Sequence, residues 1–121
     1  MIRKMECAAL YTANVEQSVD FYTAIGLKKS WIIERPLPDG GTWTIVGMSF
    51  PEEHSSELVL QNNKELKEID IELLVDDVYD TYAKLKERSD IHWIREPFPT
   101  ESGHVAVMEA PDHNVFVLVG K

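Results

Sequence analysis

A single cysteine, Cys7, stands in 121 residues. It permits no internal disulfide and fits a reducing compartment, because stable disulfides belong to oxidising ones. Long apolar runs are also missing. The longest are a few residues, such as Val115-Phe116-Val117-Leu118-Val119, against the roughly 20 needed to cross a bilayer. Arg3 and Lys4 are not followed by an apolar stretch, so no secretory signal is read. A cytoplasmic protein without a membrane partner is expected. Basic residues are scarce: 12 Lys and Arg face 21 Asp and Glu, for a net charge of −9. No basic stripe exists, which argues against nucleic-acid binding, where clustered cations must neutralise phosphates. The acidic balance suits a cationic ligand and equally suits plain solubility. The four histidines follow no metal-ligand spacing. His54 falls in an acidic loop, His113 in a tight turn, and His92 and His104 near strand ends, with His104 the one able to border a cleft.

What is present is one pattern written twice, 63 residues apart. Residues 7–15 and residues 70–78 are each an alternating strand that stops at Asn14 or Asp77 and passes into an amphipathic stretch. Asn14 and Asp77 are helix caps, with Gln17 placed to close a capping box. Gly26 ends the first helix near Ile25, since glycine takes the left-handed conformation at a helix C-terminus. Further strands are expected over 28–34, 42–49, 57–61, 91–95, 104–109 and 115–119, with the second helix over 78–88. Residues 36–41 and 110–114 are turns, and Pro97 and Pro99 stiffen a loop. Residues 62–65 are polar and turn-prone and mark the half boundary. The chain is thus a single domain of residues 1–121, with a first β-α-β-β-β module over 1–63 and a second over 64–121. A repeat of this kind leaves each unit one apolar face to cover, and two facing sheets would enclose a cleft.

The sequence Asn14-Val15-Glu16-Gln17-Ser18-Val19-Asp20-Phe21-Tyr22 followed by Ile25-Gly26-Leu27, with Ser56-Glu57-Leu58-Val59-Leu60 and Ala110-Pro111-Asp112-His113-Asn114-Val115-Phe116, resembles the vicinal oxygen chelate superfamily. That group holds glyoxalases, extradiol dioxygenases and bleomycin-resistance proteins. The resemblance implies an α+β fold of two βαβββ modules forming an open, incomplete barrel around a cleft, and a homodimer. It also implies a metal ligand on each of four strands, at positions matching Cys7, Glu57, Asp70 and Val117. Glu57 alone keeps a family ligand type. Cys7, Glu57 and Asp70 would be the ligands if a divalent metal bound, but one soft sulfur and two hard oxygens form a poor catalytic set. No metal or other cofactor is expected, and no catalytic residue is assigned.

Strand parity defines the cleft face. If Cys7 points inward, so do Ala9 and Tyr11; with Glu57 go Val59 and Gln61; with Asp70 go Glu72 and Leu74; Val117 completes the fourth wall. The opposite parity, including Leu10, Leu58, Leu60, Leu73, Phe116 and Leu118, is apolar and suits packing under helices. Charged groups are rarely turned inward without a partner, and Lys28, Lys29, Arg35 and Arg95 are the internal candidates. Trp31, Trp43 and Trp93 fall on strands read as central. Trp31 and Trp43, with His104, join the candidate ligand-binding residues, because aromatics beside carboxylates suit a planar or cationic ligand. The function expected is metal-independent binding of an aromatic or cationic small molecule, similar to that of bleomycin-resistance proteins. A glyoxalase- or dioxygenase-type enzyme with an atypical ligand set, and a non-catalytic paralogue acting through its dimer face, are the alternatives, so enzymatic activity is left open.

Overall fold

Asn14 and Asp77 do what their positions predict. In the computed structural model, which describes all 121 residues, the Asn14 side chain accepts from the Gln17 amide and that of Asp77 from the Asp80 amide. Each satisfies an amide that the first helical turn leaves free. The capping box does not close through Gln17; the Asn14 amide donates to Thr12 Oγ1 instead. The helices that follow are α1 (Val15–Ala24) and α2 (Val78–Leu85). Past α1, Gly26 adopts φ +119°, and the Leu27 amide reaches back to the Tyr22 carbonyl. This is the overlapping bond that closes a helix through a glycine.

The strands are β1 (Ile2–Tyr11), β2 (Lys28–Pro36), β3 (Thr42–Ser49), β4 (Glu57–Gln61), β5 (Asp70–Val75), β6 (His92–Thr100), β7 (Gly103–Glu109) and β8 (Val115–Gly120). The element order is therefore β-α-β-β-β twice, a mixed α+β arrangement. Pro97 and Pro99 lie inside β6 rather than in a loop. That is permitted because β6 ends its sheet, and an edge strand can leave an amide position unpaired. No helix is long and apolar enough to cross a membrane.

The chain divides into two compact units, Cys7–Ile69 and Met1–Glu6 with Asp70–Lys121, so β1 contributes to both. The division falls at Ile69, later than the polar stretch 62–65. Gln61 is the reason: its side chain donates to the Leu66 carbonyl and accepts from the Asn63 amide, tying that stretch back onto β4.

In the Cys7–Ile69 unit the strand order is β2-β3-β4-β1, with β1 and β4 parallel. Val46, Met48 and Leu60 are buried on the face under α1, packed by Leu10, Val15, Val19, Tyr22, Leu27 and Leu58. Each fully buried apolar side chain of this size contributes about 1.5–3 kcal/mol. In the other unit the order is β5-β8-β7-β6. There Val75, Val78, Ala106, Met108 and Leu118 form the buried cluster, joined by Leu73, Leu85, Ile91, Trp93 and Phe116. Helices thus cover one parity in each unit and leave the other parity for the residues expected to be functional.

Candidate ligand-binding face

On the face of the Cys7–Ile69 sheet turned away from α1, strand register arranges the side chains in rows. Cys7 stands beside Glu57. The next row is Ala9, Val59, Gly47 and Trp31, and the next is Tyr11, Gln61, Ile45 and Ile33. Trp43 and Arg35 form a last pair. Successive rows are two residues apart, about 6.6 Å along the strands. Register thus sets Cys7, Ala9, Tyr11, Glu57, Val59, Gln61, Trp31 and Trp43 on one surface. Cys7, Val59 and Gln61 are buried in it; Ala9, Tyr11, Glu57, Trp31 and Trp43 are half-buried.

Glu57 is held by an irregularity in β2. Pairing with β3 jumps between Lys29 and Trp31, leaving Ser30 as an extra residue. A bulge of this kind re-aims neighbouring side chains, and here two consecutive residues reach one carboxylate. Ser30 Oγ donates to Glu57 Oε2 at 2.7 Å and Trp31 Nε1 donates to Oε1 at 2.9 Å. Ser30 Oγ is also 3.0 Å from the Gly47 carbonyl, but it has one proton, and the closer, charged oxygen is the stronger acceptor. Gly47 makes room for the indole. A Cβ there would lie 2.1 Å from Trp31 Cε2 and Nε1, so only glycine lets the ring lie against the sheet. The partners of Glu57 are therefore neutral donors, not the lysines or arginines considered from sequence. Arg35 instead lies over the Trp43 ring, 4.8 Å from its centroid.

Gln61 ties β4 to the loop that follows it and to β3. Besides binding the loop, its Oε1 accepts from Trp43 Nε1 at 3.0 Å. The loop it pins carries Lys67, whose Nζ sits 5.5 Å from the centroid of Tyr11.

The same reading of the Met1–Glu6 and Asp70–Lys121 unit gives rows of Glu72, Val117, Val107 and Arg95, then Leu74, Val119, Val105 and Phe98. Arg95 lies over the Phe98 ring at 4.1 Å. Val117 is thus level with Glu72, whereas Asp70, one residue before the Ile71–Phe116 pair, is level with Val115. The bulge is repeated too: pairing of β6 jumps between Trp93 and Arg95, at the place that Ser30 occupies in β2.

Two sequence assignments are corrected. His104 shares the parity of buried Ala106 and Met108, so it faces α2, with its ring 4.9 Å from that of Tyr79. It does not lie on the face of Glu72 and Val117. Its Nδ1 is buried without a hydrogen-bond partner. Trp31 and Trp93 occupy the edge strands β2 and β6 rather than central ones, and Trp93 packs under α2 against Tyr82, 4.7 Å between centroids. The bulges went unseen in the sequence because they are properties of pairing; Ser30 carries no local signal of one.

One cavity, about 520 Å³, lies on the helix side of the Cys7–Ile69 unit, lined by Val15, Val19, Lys29, Ile32 and Val46 among others. A second, about 350 Å³, is lined by Arg3, Leu74, Asp76 and Lys121. Of the expected site residues only Leu74 borders either one. Neither of these two cavities is lined by Glu57 or Trp31.

Residues 4–118 match the model of the glyoxalase/bleomycin resistance protein/dioxygenase superfamily. The chain belongs to this superfamily. Among solved structures, it resembles the hypothetical protein BH1468 from Bacillus halodurans C-125 at TM-score 0.74 and 19% identity, covering 98% of this chain and 94% of that one. A methylmalonyl-CoA epimerase matches at TM-score 0.72 and 14% identity, over 98% and 94% of the two chains. A catechol 2,3-dioxygenase matches at TM-score 0.66 and 18% identity, over 94% of this chain and 42% of that chain. At these identities the likeness carries the glyoxalase-like fold and nothing finer. No curated protein sequence matches the chain.

Superfamily members often bind a divalent metal, and the residues here do not fit one. Both oxygens of Glu57 take hydrogen bonds from Ser30 and Trp31. Val117, which the resemblance matches to the fourth ligand position, has no donor atom. No group of three or more His, Cys, Asp or Glu side chains gathers where it could hold an ion, and a catalytic site needs at least three such ligands.

Proposed function

We propose that this superfamily member binds a small organic molecule with aromatic or cationic character, through the half-buried pair Glu57 and Trp31, without a metal and without bond chemistry. The observation that carries the proposal is the Ser30–Glu57–Trp31 cluster. A carboxylate oriented by two neutral donors keeps lone pairs for a further donor. An indole laid flat beside it offers a π face for stacking or a cation–π contact. Such a pairing of anion and aromatic suits recognition of a cationic or planar group. A nucleophile or base would need the carboxylate less encumbered and a reacting partner beside it. Of the neighbours of Glu57, Cys7 is buried.

Tryptophan emission tests the proposal, because Trp31 reports directly on the cluster. Titration with bleomycin, a cationic aromatic probe, is expected to give a saturable change. In Glu57→Gln the affinity should fall about tenfold or more, the loss of one charge-assisted contact of roughly 1.5–3 kcal/mol. No saturable change with bleomycin or with a panel of cationic aromatics would contradict it.

A further inference from the structure

We infer that the cavity beside α1 is a second binding site, for a small aromatic carboxylate, on the face of the sheet opposite to Glu57 and Trp31. The internal repeat carries the inference, because the two units fill the same place differently. Lys29 pairs with Met48 immediately before the irregularity in β2, and Trp93 pairs with Met108 immediately before the one in β6. Lys29 and Trp93 therefore hold equivalent positions. Val19 and Tyr82 are equivalent too, since Val19 follows Val15 by one helical turn as Tyr82 follows Val78. In the unit of Asp70–Lys121 the Tyr82 and Trp93 rings meet edge to face, 4.7 Å between centroids, and Trp93 packs against the buried cluster. In the Cys7–Ile69 unit Val19 and Lys29 stand in those places, and both line an open space of about 520 Å³.

The comparison gives the ligand its shape. A gap between helix and sheet that holds two aromatic side chains in one unit suits a planar ring system in the other. The volume lies within the range of about 300–1,000 Å³ usual for small-molecule sites. The walls are apolar: Val15 and Val19 from α1, Ile32 and Val46 from the sheet. Ile32 is 47% exposed, an apolar side chain on edge strand β2 that a bound ring would cover. The charge of the ligand follows from the two charged residues at the cavity. Lys29 is the only cation lining it and Glu16 the only anion. Glu16 lies in the first turn of α1, where the free helical amides carry partial positive charge and offset a carboxylate. Lys29, on β2, has no helix end to offset it. Its flexible stem lets the ammonium turn to an acid group on a ring held against Ile32 and Val46. A cationic group at that place would be repelled.

Naphthalene-2-acetate and its neutral counterpart, naphthalene-2-acetamide, decide the matter by calorimetry on the full chain. The acid is expected to bind saturably at one equivalent, and about threefold or more tightly than the amide, the scale of a partly exposed ion pair. Lys29→Gln should remove that difference while leaving the thermal midpoint unchanged. Val19→Tyr/Lys29→Trp, which writes the two rings of the other unit into this one, should abolish binding of both compounds. Glu57→Gln should leave it as in the parent. Equal affinity for acid and amide overturns the anionic assignment. Binding that persists in the folded double variant, or that is lost in Glu57→Gln, overturns the site. A preference for the acid that survives Lys29→Gln overturns it even where the double variant fails to fold. Absence of saturable binding by either compound overturns this inference and leaves the proposal for Glu57 and Trp31 standing.

Discussion

At the residue scale, the decisive side chain is one that is absent. Gly47 has no conformational need to be glycine; its φ is not positive. It is needed because the Trp31 ring occupies the space of a Cβ. Gly47→Ala therefore has to lift the indole, which weakens the Trp31–Glu57 hydrogen bond. Overpacking of this kind costs about 1–3 kcal/mol. Urea denaturation should show that loss, and emission should shift as Trp31 changes environment. A variant as stable as the parent, with unchanged emission, would mean that the indole does not lie on the sheet. Cys7 and Gln61 share the parity of Glu57 and are buried. Gln61 spends both ends of its amide on Trp43, Asn63 and Leu66.

At the element scale, the two helices make parallel predictions. Asn14→Ala and Asp77→Ala each remove a side-chain acceptor from a first-turn amide, a loss of typically about 1 kcal/mol. Denaturant midpoints should fall in both, while Asp77→Asn should retain most of the stability. A neutral outcome in either alanine variant would show that the cap is replaced by another acceptor. The turns set the acid response. The hydrogen bond from the Asn114 amide holds Asp112 below its ordinary pKa of 3.8, and the hydrogen bond from Arg88 does the same for Asp90. Groups depressed in the folded state contribute stability above 3.8 and lose it as pH falls through their lower folded values. The thermal midpoint should therefore drop on acidification below pH 3.8, and less steeply in Asp90→Asn/Asp112→Asn. Parallel acid limbs in variant and parent would contradict this.

At the scale of the whole molecule, the sequence made the repeat legible and left its irregularities hidden. Element order, both N-caps and the apolar parity under the helices follow from local chemistry: Asn14 and Asp77 announce helix starts, and Leu10, Leu58, Leu60 and Leu118 pack where alternation puts them. What was not legible depends on pairing. The bulges at Ser30 and before Arg95, the level of Val117 beside Glu72, and the turn of His104 toward Tyr79 are set by neighbours distant in sequence. The prolines of β6 misled for the same reason, since only its edge position makes them tolerable. The four ligand positions of the superfamily illustrate both sides. Their residue types were readable, but the commitment of Glu57 to Ser30 and Trp31 was not.

That commitment is the central claim, and metal stoichiometry tests it most directly. Protein incubated with Zn²⁺, Mn²⁺, Ni²⁺ and Fe²⁺ in turn, then freed of excess ion, should retain far less than one equivalent by elemental analysis. Its thermal midpoint should not rise with any of the four. One bound equivalent, lost in Glu57→Ala and accompanied by a raised midpoint in the parent alone, would contradict the account.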